Sequence, residues 1–119
     1  MNARGWSCYT TRGDTRADAL ATALYEAARV HLPGIRLRTD FTDGDPDLEA
    51  GVYILRNTTC AAVLSESLYM DNLEDCRFLM TEEGRKAIVR LHVGGDFGVS
   101  CFPYLTNARR NRVFLHCVA

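Results

Sequence analysis

The stretch VYILRNTTCAAVLSESLYMDN, Val52–Asn72, decides how the chain is read. It holds two short apolar runs, Val52–Leu55 and Ala61–Leu64, separated by the polar turn RNTTC. Apolar and β-branched content makes both runs strands by expectation. The second is apolar without alternation, the pattern of a strand covered on both faces. It ends in Ser65-Glu66-Ser67, so a carboxylate interrupts a buried pattern. Strand ends in α/β proteins are rigid and border loops that admit ligands, which makes Glu66 the first candidate for chemistry. From the residues alone two readings stand side by side. Glu66 is a general acid or base with its pKa raised toward neutrality, or it is a carboxylate that caps the next turn or pairs with Arg56. Arg56 either meets an anionic substrate group or supports Glu66. Asn57, Thr58 and Thr59 are turn formers.

N-terminal to this stretch, Gly5–Thr10 reads as a short strand. Asp14 or Thr15 caps a helix over Thr15–Leu32, whose apolar positions Ala17, Leu20, Ala21, Leu24, Ala27 and Ala28 recur at helical spacing. Pro33-Gly34 stops it. Ile35–Thr39 alternates, as an edge strand or an extended connector does. Asp40, Asp43, Asp45, Asp47 and Glu49 follow within ten residues. Their spacing does not match a calcium-binding EF-hand loop, because neither the glycine nor the closing glutamate falls at its required place. A solvated loop at a site rim is the preferred reading.

On the C-terminal side, Asp71-x-x-Glu74 is a cap-like start to a short helix through Leu79. Thr81 caps a second helix with Ala87, Ile88, Leu91 and His92 on its buried stripe, and Gly94-Gly95 is its expected end. From Asp96 the periodicity is lost, and one acidic residue stands against three arginines. Val113–Val118 can pair as an extra strand.

Composition narrows the classes. The 119 residues suit one domain with a modest core. The 14 basic and 15 acidic residues nearly balance, which argues against nucleic acid as a partner. No run reaches transmembrane length, and Met1–Asp14 has no apolar signal-peptide core. The five cysteines contain no CxxC pair, so a zinc-knuckle reading fails. Cys8 and Cys60 read as buried thiols. His31, His92 and His116 form no compact ligand motif, and no GxSxG, P-loop or GxGxxG is present.

Taken as an ordered series, Leu55-Arg56, Ala62-Val63-Leu64, Glu66 and Tyr69-Met70-Asp71-Asn72 resemble the C-terminal half of the zinc-dependent N-acetylmuramoyl-L-alanine amidases, the peptidoglycan amidases of bacteria and phages. The strand Gly5–Thr10, the helix Thr15–Leu32 and the Gly-Asp-Pro-Asp loop fit the same domain, in a form like that of gut Bacteroidetes-type bacteria. The resemblance covers residues 1–95. It departs from the family at Ala61, where proline is usual, and after Gly95.

The resemblance implies an α/β fold, a partial mixed β-sheet flanked by helices and truncated at the N-terminus, with an interior strand left as an exposed edge. Residues 1–95 are then the C-terminal portion of an amidase domain, and residues 96–119 an atypical tail, disordered or loosely packed. It implies Glu66 as the catalytic proton carrier, with Arg56 and Asn57 contacting substrate or supporting the site. The family binds Zn²⁺ through a His, a Glu and a second His. These lie upstream of the matching region, so no metal is expected to be held by this chain. The implied partner is peptidoglycan, met at the cell wall, in the periplasm or by a phage lysin. The implied reaction is hydrolysis of the amide between the muramoyl lactyl group and L-alanine, with the fragment inactive alone. The alternative is a non-catalytic peptidoglycan-binding or regulatory fragment.

Overall fold

The computed structural model describes residues 3–100 and 112–117, with side chains for residues 3–95. In chain order the elements are β1 (Trp6–Thr10), α1 (Arg16–His31), β2 (Leu48–Glu49), α2 (Tyr53–Arg56), β3 (Ala61–Ser67), α3 (Leu73–Met80), α4 (Glu82–Ser100) and β4 (Arg112–Cys117). The sheet runs β2-β1-β3-β4. β1 pairs parallel with β2 and antiparallel with β3, and β3 pairs parallel with β4. This is the expected α/β fold, a mixed sheet flanked by helices.

α1 forms where the helical period predicts it. The Thr15 hydroxyl accepts the Ala17 amide at 3.3 Å while Asp18 accepts the Thr15 amide at 2.7 Å, a reciprocal cap. α1 and α4 then pack together on one face of the sheet. Leu20, Leu24, Tyr25 and Ala28 of α1 and Ala87, Ile88 and Leu91 of α4 share a core with Trp6, Cys8 and Val63. Trp6 meets the Tyr25 ring edge-on, with centroids 5.0 Å apart.

Five expectations are corrected. Val52–Leu55 is not a strand: Tyr53–Arg56 makes one helical turn, in which Leu55 is buried while Tyr53 and Ile54 face solvent. Asn57 Nδ2 donates to the Tyr53 carbonyl at 2.8 Å, and the Thr58 hydroxyl donates to that of Ile54, so the polar residues close this turn. A four-residue apolar run cannot distinguish these outcomes by period. The cap of α3 is Asn72 rather than Asp71, its Oδ1 accepting the amides of Glu74 and Asp75. Gly94-Gly95 does not end α4. A Cβ on Gly95 would stand 2.6 Å from Leu24 Cδ2 and 3.0 Å from Leu24 Cα, so this glycine lets α4 pass close against α1. Cys60 is half-buried, while Cys8 is buried as expected. The acidic loop is not wholly solvated, for Asp47 is buried and Leu48–Glu49 joins the sheet.

Other expectations fare differently. Ile35–Thr39 is the extended connector: it bridges Trp6 through Leu37, with Trp6 N–H donating to Arg36 O and Arg38 N–H to Trp6 O, both at 2.8 Å. Gly5, at φ +106°, allows this approach, since a Cβ there would overlap Arg36 O. The expected exposed interior edge does not arise among the described residues, because β1 and β3 are each paired on both sides. Of the tail, residues 96–100 continue α4 and Arg112–Cys117 form β4, the extra strand. The remainder of the tail expectation lies outside the described residues.

Candidate functional site

Glu66 sits one residue before the end of β3. Its register partners are Ser7 on β1 and Cys117 on β4. Side chains alternate across a sheet, and directly opposed residues share a face. Trp6, Cys8 and Val63 point into the helical core, so Ser7, Tyr9, Leu64 and Glu66 lie on the face opposite α1 and α4. Glu66 is half-buried there. Ser7 beside it is fully buried, and its hydroxyl has no hydrogen-bond partner among the described residues.

After Ser67 the chain turns sharply. Leu68 adopts φ +71°, a left-handed conformation that a bulky side chain rarely takes. Three contacts hold it. Its side chain is buried, its N–H donates to Gly5 O at 3.1 Å, and the next residue is clamped by α3. The clamp is Asp75, a buried carboxylate whose Oδ2 accepts Gly5 N–H at 2.8 Å and Tyr69 N–H at 3.2 Å. This turn brings Tyr69 to Glu66. The phenol is held above its ordinary pKa, first by burial, with the negative charge of Glu66 adding and Arg38 opposing.

Arg38 completes the group. Its Nη1 donates to Tyr69 Oη, and its guanidinium carbon lies 5.6 Å from the Tyr69 ring centroid. The Tyr25 hydroxyl fixes the Arg38 backbone. It donates to Arg38 O at 2.5 Å and accepts Cys8 N–H at 3.2 Å, tying the connector to β1. The result is a carboxylate, a phenol and a guanidinium beside one strand end. A carboxylate so placed can move a proton, and Arg38 can hold an anionic group next to it.

The sequence singled out Glu66 but not Arg38 or Tyr69 as site residues. A usable signal was present for Arg38. In IRLRT the apolar Ile35 and Leu37 pack against the core, which assigns Arg36 and Arg38 to the other side of an extended segment. The structure does not bring Arg56 to Glu66. Arg56 and Asn57 are exposed at the α2 turn that precedes β3, whereas Glu66 lies about 16 Å along the strand from Ala61 by strand rise. Among the described residues no ion pair joins Arg56 to Glu66.

The described residues do not fit a His-Glu-His zinc site. His31 lies at the end of α1. His92 is hydrogen-bonded at both nitrogens, Nδ1 to Ile88 O and Nε2 to Ser65 Oγ, each at 2.7 Å. No three-membered group of metal-ligating side chains containing Glu66 or a histidine occurs among the described residues. Nor is any helix of the described residues long and apolar enough to cross a membrane.

No family model and no curated protein sequence matches the chain. Among solved structures it is similar to the CwlD amidase from Clostridioides difficile, determined in complex with the GerS lipoprotein. The TM-score is 0.61 at 17% identity, and the match covers 83% of this chain and 48% of that one. The likeness is one of fold, an amidase-like α/β fold, and the chain spans about half the length of the structure it matches.

Proposed function

We propose that this chain carries the proton-transfer half of a peptidoglycan-amidase-like hydrolase centre, with Glu66 as its acid–base residue. The observation that carries the reading is the placement of Glu66. It lies at the end of an interior strand, on the sheet face free of α1 and α4, beside the Arg38–Tyr69 pair. The amidase-like fold supports it. In amide hydrolysis Glu66 takes the proton of the attacking water and returns it to the leaving amine. Arg38, itself held by Tyr69, binds a carboxylate or lactyl oxygen of a muramoyl peptide, the substrate class proposed here. Arg56 is a peripheral substrate contact in this reading.

The His and Glu residues described do not assemble the zinc set of such amidases, so no step is routed through a metal. This specific observation favours a second reading, a peptidoglycan-binding fragment without turnover. One experiment separates the two. The 119-residue chain and its Glu66→Gln variant are incubated with soluble N-acetylmuramoyl-L-alanyl peptide, with and without added zinc. Release of the free peptide and binding are both measured. The proposal expects binding by both proteins and trace release by the chain that is lost in Glu66→Gln, whereas the second reading expects binding with no release by either. Binding absent in both overturns it. Robust release lost in Glu66→Gln would keep the role of Glu66 and refute the inactivity of the isolated chain.

A further inference from the structure

A second polar cluster lies at the other end of β1, independent of the reading of Glu66. Asp18 of α1 and Asp45 and Asp47 of the loop before β2 each present an oxygen, and these three oxygens lie within 4.8 Å of one another. Adjacent carboxylates are ordinary on a protein surface. Two features set these apart. Asp47 is only 2% exposed, and its Oδ1 is shielded from solvent with no hydrogen-bond partner among the described residues. Asp45 touches it side chain to side chain, and its own Oδ1 is equally shielded and unpartnered. The other Asp47 oxygen accepts the Thr10 hydroxyl at 2.5 Å, which aims the carboxyl and leaves Oδ1 unsatisfied.

Ionised carboxylates only accept hydrogen bonds, so two buried oxygens in contact require something positive between them. A single proton shared by Asp45 and Asp47 would neutralise one of three clustered charges and leave two. Asp18 is needed as an acceptor, because its two oxygens take the Thr15 amide and hydroxyl at the cap of α1. We infer that Asp18, Asp45 and Asp47 form a binding site for a hard divalent cation, calcium by its tolerance of irregular oxygen geometry, which ties the acidic loop to α1 and β1. Two oxygens on one ion stand at most twice the metal–oxygen distance apart, about 4.6–5.2 Å for Ca²⁺ and about 4.0–4.2 Å for Mg²⁺. Oxygens within 4.8 Å of one another can share one such ion, and an irregular loop suits Ca²⁺, which tolerates variable geometry, better than Mg²⁺, which demands a near-ideal octahedron. Water fills the remaining positions.

The test is calorimetric titration of the full chain, stripped with chelator, with CaCl₂ and separately MgCl₂ at matched ionic strength, alongside thermal unfolding. One Ca²⁺ per chain is expected, with a Kd in the range of about 10⁻⁴–10⁻³ M and weaker Mg²⁺ binding. Melting should shift upward with Ca²⁺. Asp45→Asn, the less buried position, should weaken Ca²⁺ at least about tenfold and abolish the shift, and Asp47→Asn should do the same if it folds. Absence of a binding heat and of a melting shift in the unmodified chain overturns the inference. So does an equal response in Asp45→Asn, which would place the ion on other surface carboxylates.

Discussion

Asp75 shows how one buried side chain can hold a site through backbone amides alone. It is buried on α3, yet its Oδ2 accepts amides from Gly5 and Tyr69, seventy and six residues away. It therefore fixes both the start of β1 and the turn that delivers Tyr69 to Glu66. Asp75→Ala strands both amides, and we expect a loss of about 2–3 kcal/mol in urea unfolding. A loss below 0.5 kcal/mol, on the order of an ordinary surface substitution, would contradict the clamp. His92 gives a pH signature. The Ile88 carbonyl can only accept, so Nδ1 carries the ring proton and Nε2 accepts the Ser65 hydroxyl. Burial lowers the His92 pKa below its ordinary 6.5, partly offset by the Ile88 hydrogen bond. The unfolded state therefore binds more protons below that value. The stability contributed by neutral His92 is complete above pH 6.5 and is lost as pH falls through the lowered folded pKa. Unfolding measured from pH 7.5 to 5 should show a steeper loss in the unmodified chain than in His92→Gln. Parallel curves would refute this.

At the scale of elements, the α1–α4 contact depends on which glycine is used. A Cβ at Gly95 would press on the Leu24 backbone, whereas at Gly94 its nearest neighbours stand at 3.7 and 3.8 Å, ordinary contact. Gly95→Ala should destabilise by about 1–3 kcal/mol through overpacking. Gly94→Ala should stabilise by about 0.5–1 kcal/mol, the helix preference of alanine. Thermal unfolding of the pair should move in opposite directions, and movement in the same direction would contradict the described packing. The same contact marks where the sequence was readable. α1 announced itself through sixteen residues of helical spacing and its Thr15 cap, β1 through aromatic and hydroxyl side chains, and β3 through apolar content. Gly94-Gly95 resembles a helix stop because local preference disfavours glycine, and only the distant Leu24 explains why the helix continues. Val52–Leu55 misled for the opposite reason: its run is too short for a period, and tertiary position decided it.

At the scale of the whole molecule, the sheet order places β3 between β1 and β4, with Glu66 in register with both neighbours. β4 comes from the segment whose sequence shows least pattern. Deleting residues 112–117 should bare the backbone edge of β3 and cause self-association, seen by sedimentation as concentration-dependent mass. A monomeric deletion variant would refute that role. Glu66 was legible because a charge interrupts an apolar strand. Its companions were not, since Arg38 and Tyr69 come from a connector and a turn, each placed by a partner distant in sequence or in a later helix, Tyr25 and Asp75. The acidic loop was legible as acidic, but not as partly buried, because Thr10, whose hydroxyl holds Asp47, lies far away in sequence.

The central claim is that Glu66, Tyr69 and Arg38 face a muramoyl-peptide substrate. Its most direct test is an amide-shift NMR titration of the labelled full chain with soluble N-acetylmuramoyl-L-alanyl peptide. Saturable shifts centred on Ser7, Arg38, Glu66 and Tyr69, and lost in Arg38→Ala, are predicted. Absence of shifts at saturating ligand, or shifts confined to the α2 turn around Arg56, would contradict it.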